Sequence, residues 1–210
     1  MKKFLTFIFI FFLFTTTYCQ NSLIAADKGN VLYIGVDNPV TIFAEGYRYD
    51  EITVKVDKGE ISGNYGKYIY RGIQKGTVVF TIVSLKDSRE ISRTTFRVKS
   101  IPDAVVSIAG AKNETISTKA LRSLMVVGTH LKDFDFDAHY MVDSFTISIV
   151  HLDKCTTKQF SIKGYELNQE IKEELTKLHK NDLVLFKDIY AIAPDATIRN
   201  LEPAVFTVTE

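Results

Sequence analysis

The chain has 210 residues, 24% of them charged and 12% aromatic, with a formal net charge of +1. That near-neutral balance excludes nucleic-acid binding driven by an overall basic charge. With only two cysteines, one of them at position 19, the fold cannot rest on a disulfide framework.

In chain order, Lys2-Lys3 precede an apolar run from Phe4 to Phe14, followed by Thr15-Thr16-Thr17-Tyr18-Cys19-Gln20. This layout predicts a secretory signal peptide over residues 1–19, cut after Cys19. The run is about half of the ~20 residues needed to span a bilayer, so export without a retained membrane span is expected. Loss of Lys2 and Lys3 changes the formal charge from +1 to −1. A lipoprotein signal wants a small residue before its cysteine, and Tyr18 stands there. Lipid anchoring at Cys19 is therefore the lesser alternative. Cys155 is then the remaining cysteine, expected as a semi-buried strand residue.

Residues 20–101 read as an all-β domain. Strands are predicted at Val31–Ile34, Val40–Glu45, Glu51–Val56, Tyr68–Arg71, Thr77–Val83 and Arg93–Lys99. Ile52, Val54 and Val56 share one face, with Thr53 and Lys55 on the other. Asp37-Asn38-Pro39, Asp57-Lys58-Gly59, Gly63-Asn64-Tyr65-Gly66 and Gln74-Lys75-Gly76 supply turn chemistry between them. Short strands at this spacing predict an immunoglobulin-like β-sandwich, without the Cys…Trp…Cys core of an antibody domain. The run Lys99-Ser100-Ile101-Pro102-Asp103 is the predicted domain boundary. Net charge changes from positive before it to negative after it.

Residues 102–210 read as a second β-rich domain with one amphipathic helix. Strands are predicted at Ala104–Ile108, Leu124–Val127, Tyr140–His151, Gln159–Lys163, Leu183–Ala193 and Ala204–Val208. Leu167, Ile171, Leu175 and Leu178 form an apolar stripe opposite Glu170, Lys172, Glu173 and Lys177, predicting a helix over about 168–180. Asn168 is its expected N-cap. The fold class expected overall is mainly β: two β-sandwich domains in tandem.

No enzyme motif emerges. Asp133-Phe134-Asp135-Phe136-Asp137 has the D-x-D-x-D spacing of a calcium loop. The glycine and glutamate such a loop requires at its sixth and twelfth places are replaced by Ala138 and Ser144. Alternation explains the run better, with Phe134 and Phe136 inward and the aspartates in water. His130, His139, His151 and His179 lack zinc spacing and are expected to face solvent. Gly59-Glu60-Ile61-Ser62-Gly63 misplaces the serine of a hydrolase elbow, and Gly63 to Tyr68 misspaces a phosphate loop. Asn113-Glu114-Thr115 is a glycosylation sequon. No catalytic residue, cofactor or metal site is predicted. Tyr47, Tyr49, Tyr65 and Tyr68 remain as a candidate interaction surface, since tyrosines anchor protein interfaces and stack on sugars.

Four runs in register resemble the last two domains of the GldM/PorM family. They are Val31-Leu32-Tyr33-Ile34-Gly35-Val36-Asp37-Asn38-Pro39-Val40, Phe96 to Asp103, Phe134-Asp135-Phe136-Asp137 through Val142-Asp143-Ser144-Phe145, and Phe186 to Ala191 with Pro194-Asp195-Ala196 and Arg199 to Pro203. The resemblance implies periplasmic β-sandwich domains, forming elongated dimers in type IX secretion and gliding machinery. Ala196 departs from a family glycine, and Asn181-Asp182 replaces a glycine-containing turn. The family's membrane helix and earlier periplasmic domains have no counterpart before this pair. The expected function is therefore an exported, non-enzymatic module that binds envelope proteins, as an accessory or paralogue of that machinery. A homodimer is an expected partner state, through exposed strand edges. The alternatives are a carbohydrate- or surface-binding adhesion module, located outside the cell, and a secreted hydrolase whose residues meet only in three dimensions.

Overall fold

The computed structural model describes residues 21–109, 111 and 114–210. The expected signal segment with Cys19, and Asn113 of the sequon, lie outside the described residues.

The first half folds into β1 (Ser22–Ala26), β2 (Val31–Tyr33), β3 (Asn38–Ala44), β4 (Ile52–Val56), β5 (Glu60–Asn64), β6 (Lys67–Arg71), β7 (Gly76–Ser84) and β8 (Glu90–Lys99). These form two four-stranded sheets, ordered β1-β3-β6-β5 and β2-β8-β7-β4. β2 runs parallel to β8; the other pairings are antiparallel. Period-two alternation sends Val40, Ile42, Val78, Phe80 and Ile82 into a shared core, where each is almost completely buried. Burial of such a side chain stabilises by about 1.5–3 kcal/mol, so these alternating runs dominate the sandwich. The rings of Tyr70, Phe80 and Phe96 close it, with Phe80 centred 5.2 Å from Tyr70 and 5.1 Å from Phe96.

Two strands here are not apparent from sequence. β1 has small alanines, and β5 combines glycine, serine and asparagine, so both carry weak local β signal. Their pairing to β3 and β6 supplies what propensity lacks. The β5–β6 hairpin turns on two residues, Tyr65 and Gly66, with φ of 49° and 79°. Positive φ at both positions is the geometry that matches the twist of the flanking strands.

The second half contains β9 (Val105–Ser107), β10 (Thr115–Ser117), α1 (Thr118–Arg122), β11 (Gly128–His130), β12 (Met141–His151), β13 (Thr156–Lys163), α2 (Gln169–Thr176), β14 (Leu183–Ile192), β15 (Ile198–Leu201) and β16 (Ala204–Thr209). A six-stranded sheet has the order β10-β16-β14-β12-β13, with β15 paired to β14. The two-stranded ribbon β11-β9 and the two helices supply the other elements. Phe145, Ile147 and Ile149 of β12 meet Ile171 and Leu175 of α2, and Val184 and Phe186 of β14, in one core.

Several expectations are corrected. Residues 124–127 are not a strand; β11 begins one residue later, and Val126 makes only an isolated bridge to Glu166. The Asp133–Asp137 run is irregular rather than extended, with Asp133 at φ 51°, although its phenylalanines are half-buried and its aspartates exposed. Cys155 is not a semi-buried strand residue but an exposed turn residue at φ 50°. α2 is shorter than the apolar stripe, because Lys177 already caps it while Leu178 stays buried beyond. Its N-cap is as expected: Asn168 Oδ1 accepts from Ile171 N at 3.0 Å.

Candidate functional site

The feature that organises the molecule is the seam between its halves. It starts at Asn38, whose polarity should keep it at the surface but which is 1% exposed. Its Oδ1 accepts from Tyr33 N at 2.7 Å, while Nδ2 lies 2.8 Å from Tyr33 O, 3.0 Å from Val36 O and 3.1 Å from Tyr70 O. One side chain thus satisfies several buried backbone groups of the β2–β3 loop and fixes its shape.

The fixed loop is inserted into the second half. Val36 belongs to the second core, not the first. Tyr33 packs edge-on against Phe134 at 4.9 Å and Phe136 at 5.2 Å between centroids. Lys28 Nζ lies 4.8 Å above the Phe136 ring and donates to Asp135 O at 2.7 Å. The Asp-Phe alternation therefore serves an interdomain contact: phenylalanines grip the first half while the aspartates remain in water.

Arg199 on β15 holds the linker. Its Nη1 donates to Ile101 O at 2.7 Å and Asp103 Oδ1 at 2.9 Å, and its Nη2 to Asp195 Oδ2 at 2.8 Å. Its guanidinium also lies 5.5 Å from the centre of the Tyr140 ring, and Tyr140 Oη donates to Pro102 O at 2.8 Å. Burial opposes the charge of Asp195, but Thr197 and Arg199 outweigh it and hold the carboxyl below its ordinary range. A cleft of about 560 Å³ opens along this seam, lined among others by Ile34, Lys75, Pro102 and Asp195.

The four candidate tyrosines are not one surface. Tyr49 is 45% and Tyr65 70% exposed. The Tyr49 ring lies against Gly66, beside Tyr65, so close that a Cβ on Gly66 would meet it at 2.4 Å. Tyr68 points the other way, half-buried against the first core, where burial raises its pKa despite a hydrogen bond with Thr53. Tyr47 is also half-buried there, its Oη accepting from Arg89 Nη2 at 2.5 Å. The residue types alone cannot distinguish these faces; strand parity could have placed Tyr68 with the inward Tyr70. A second apolar row joins the exposed Met141 and Ile198 through half-buried Ile192 across β12, β14 and β15.

A buried charged cluster was unforeseen. His151, Glu174 and Asp182 are each at most 5% exposed, whereas His130, His139 and His179 face solvent as expected. Hydrogen bonds from Lys177 and Lys158 hold the Glu174 carboxyl at about 2. Burial raises Asp182, but the amides of His179 and Leu152 prevail and lower it. A signal existed: His151 continues the parity of Ile147 and Ile149 along β12.

Residues 22–99 match the GldM third domain, and residues 102–209 match the GldM C-terminal domain. The chain belongs to the GldM family. These GldM domains are periplasmic portions of a cell-envelope protein of the gliding-motility and type IX secretion machinery, a family not known for enzymes. The seam joins the two GldM domains where one match ends and the next begins. Both departures from the family pattern fall at strained turns: Ala196 has φ 61° and Asn181 φ 75°, conformations natural to glycine.

A comparison with curated proteins finds no match. Among solved structures, the chain is similar to the Yersinia pseudotuberculosis adhesin InvE, with 11% identity and a TM-score of 0.31 over 91% of this chain and 59% of that one. It is also similar to domains 6–7 of the surface layer protein SbsC, with 12% identity and a TM-score of 0.29 over 90% of this chain and 97% of that one. The chain thus spans 59% of the InvE chain. Likenesses this low carry no functional argument. Among the described residues, no helix is long and apolar enough to cross a membrane.

Proposed function

We propose that this GldM-family chain is an exported, non-enzymatic module that binds other envelope proteins of the gliding and secretion machinery, as an accessory or paralogue of that machinery. The observation that supports this most is the insertion of Val36 into the second core, with Tyr33 clamped by Phe134 and Phe136. A packed seam makes two small domains present their exposed rows at fixed spacing, which suits a structural connector. The expected location is the periplasm, with a homodimer as the assembly.

The test is affinity capture of the tagged protein from its native envelope, beside a Gly35→Val variant that disturbs the seam. Recovery of secretion-ring proteins by the native chain, reduced with the variant, supports the connector reading. Capture without any such protein overturns it. A second reading, binding of surface carbohydrate, draws on the exposed Tyr49, whose ring lies at Gly66, and the exposed Tyr65 of the same turn. A glycan-array signal lost on Tyr65→Ala would favour it.

A further inference from the structure

His151 ends β12 at the parity that buries Ile147 and Ile149, and 5% of it is exposed. Its Nε2 lies 3.9 Å from Glu174 Oε2 and its Nδ1 3.6 Å from Asp182 Oδ2. Neither distance makes a hydrogen bond. Nδ1 is fully buried and has no hydrogen-bond partner. An orphaned buried nitrogen is destabilising, so its retention needs a reason.

The surroundings are built before any ligand arrives. Asp182 Oδ1 accepts from Leu152 N and its Oδ2 from His179 N, both at 2.9 Å, so the carboxylate is aimed by backbone. Glu174 Oε1 is fixed by Lys158 at 2.9 Å and Lys177 at 2.5 Å, leaving Oε2 towards the imidazole. An Nε2–H directed at that oxygen leaves the Nδ1 lone pair facing Asp182, another lone-pair donor. Asp153, exposed on the turn after β12, completes a group whose ligand atoms lie within 4.8 Å of one another.

We propose that His151, Asp153 and Asp182 bind a divalent transition-metal ion of the zinc class, with Nδ1 as the nitrogen ligand. Two donors 3.6 Å apart are too distant to share a proton well. Bonds of about 2.0–2.2 Å from an ion to each would span that gap at an ordinary coordination angle. Glu174 stands on the Nε2 side, where an outer carboxylate orients a metal-bound histidine, although at 3.9 Å it is beyond hydrogen-bond distance without a small closure. Imidazole favours zinc, nickel or copper over calcium, which needs roughly 6–8 oxygens. Ion entry is from the Asp153 side, where solvent reaches the turn, and the ion ties that turn to the start of β14. Cys155 is outside the group: its Sγ lies 3.7 Å from Leu152 O.

The experiment is titration of the EDTA-stripped protein with zinc chloride at neutral pH, followed by calorimetry and by melting temperature. One zinc per chain with a raised melting temperature is expected. Asp153→Asn alters an exposed side chain, so it should leave metal-free melting unchanged yet weaken zinc at least about ten-fold. His151→Gln should abolish binding; if it fails to fold, Asp153→Asn decides. Cobalt in place of zinc should give a spectrum without a thiolate charge-transfer band. The proposal is overturned by no binding at millimolar zinc, by affinity insensitive to Asp153→Asn, by a thiolate band, or by nitrogen spectra showing both His151 ring nitrogens protonated with zinc present.

Discussion

Gly35 and Asp195 meet across the seam so closely that a Cβ on Gly35 would stand 2.6 Å from the Asp195 amide nitrogen. Gly35 also has φ of 80°, so a side chain there is penalised by its own backbone and by its neighbour. The obstacle is the Pro194–Asp195 peptide, not a flexible side chain that could swing away. Gly35→Ala should therefore destabilise by about 2 kcal/mol or more, combining αL strain with displacement of a packed turn. Chemical denaturation measures the loss, and small-angle scattering should show the two domains loosened. An unchanged denaturation midpoint would mean that the seam is not held at Gly35.

The turn on the other side of that contact carries strain of its own. Ala196 adopts φ 61° while its amide donates to Ala193 O at 2.9 Å. Ala196→Gly removes the left-handed penalty at an exposed position and should stabilise by about 0.5–1 kcal/mol. A higher melting temperature for this variant checks the prediction.

Acid should weaken the seam through Asp195. Its carboxyl is held below the ordinary 3.8 because Thr197 and Arg199 overcome the cost of burial. A lowered folded-state pKa means the contribution is fully present above 3.8 and is lost as pH falls below it. Asp195→Asn should cost about 1–3 kcal/mol at neutral pH, since it breaks a buried charge-assisted pair with Arg199. The gap between wild type and variant should narrow as pH drops. Comparing variant with wild type cancels Asp37 and Asp87, which titrate low for reasons of their own. A gap constant down to the lowest folded pH would refute the assignment.

Tyr65→Ala should leave stability within about 0.5 kcal/mol, because 70% of the residue is exposed and its turn is held by backbone geometry. Any loss of capture by this variant then reports a binding surface and not a folding defect. Tyr68→Ala should instead destabilise by about 3 kcal/mol, as an aromatic removed from the core side of β6. If both variants melt alike, the division of the tyrosines into outer and inner faces is wrong.

What the sequence determined by itself is local: alternation, capping and turn chemistry. Val40 and Ile42, Phe145 and Ile147, and Asn168 before α2 read correctly because each signal involves residues within one turn or one pleat. The order of family-like runs was also legible, since it needs no geometry. β1, β5, β10 and β15 were not, because three to five residues of modest propensity become strands only when a partner strand accepts their hydrogen bonds. The seam and the charged cluster were hidden for the same reason at longer range. Tyr33 and Phe134 are a hundred positions apart, as are Ile101 and Arg199 to within a few residues. His151, Glu174 and Asp182 come from a strand, a helix and the approach to another strand. Only the tertiary fold brings them to one place, where exclusion of water turns otherwise ordinary polar residues into a site.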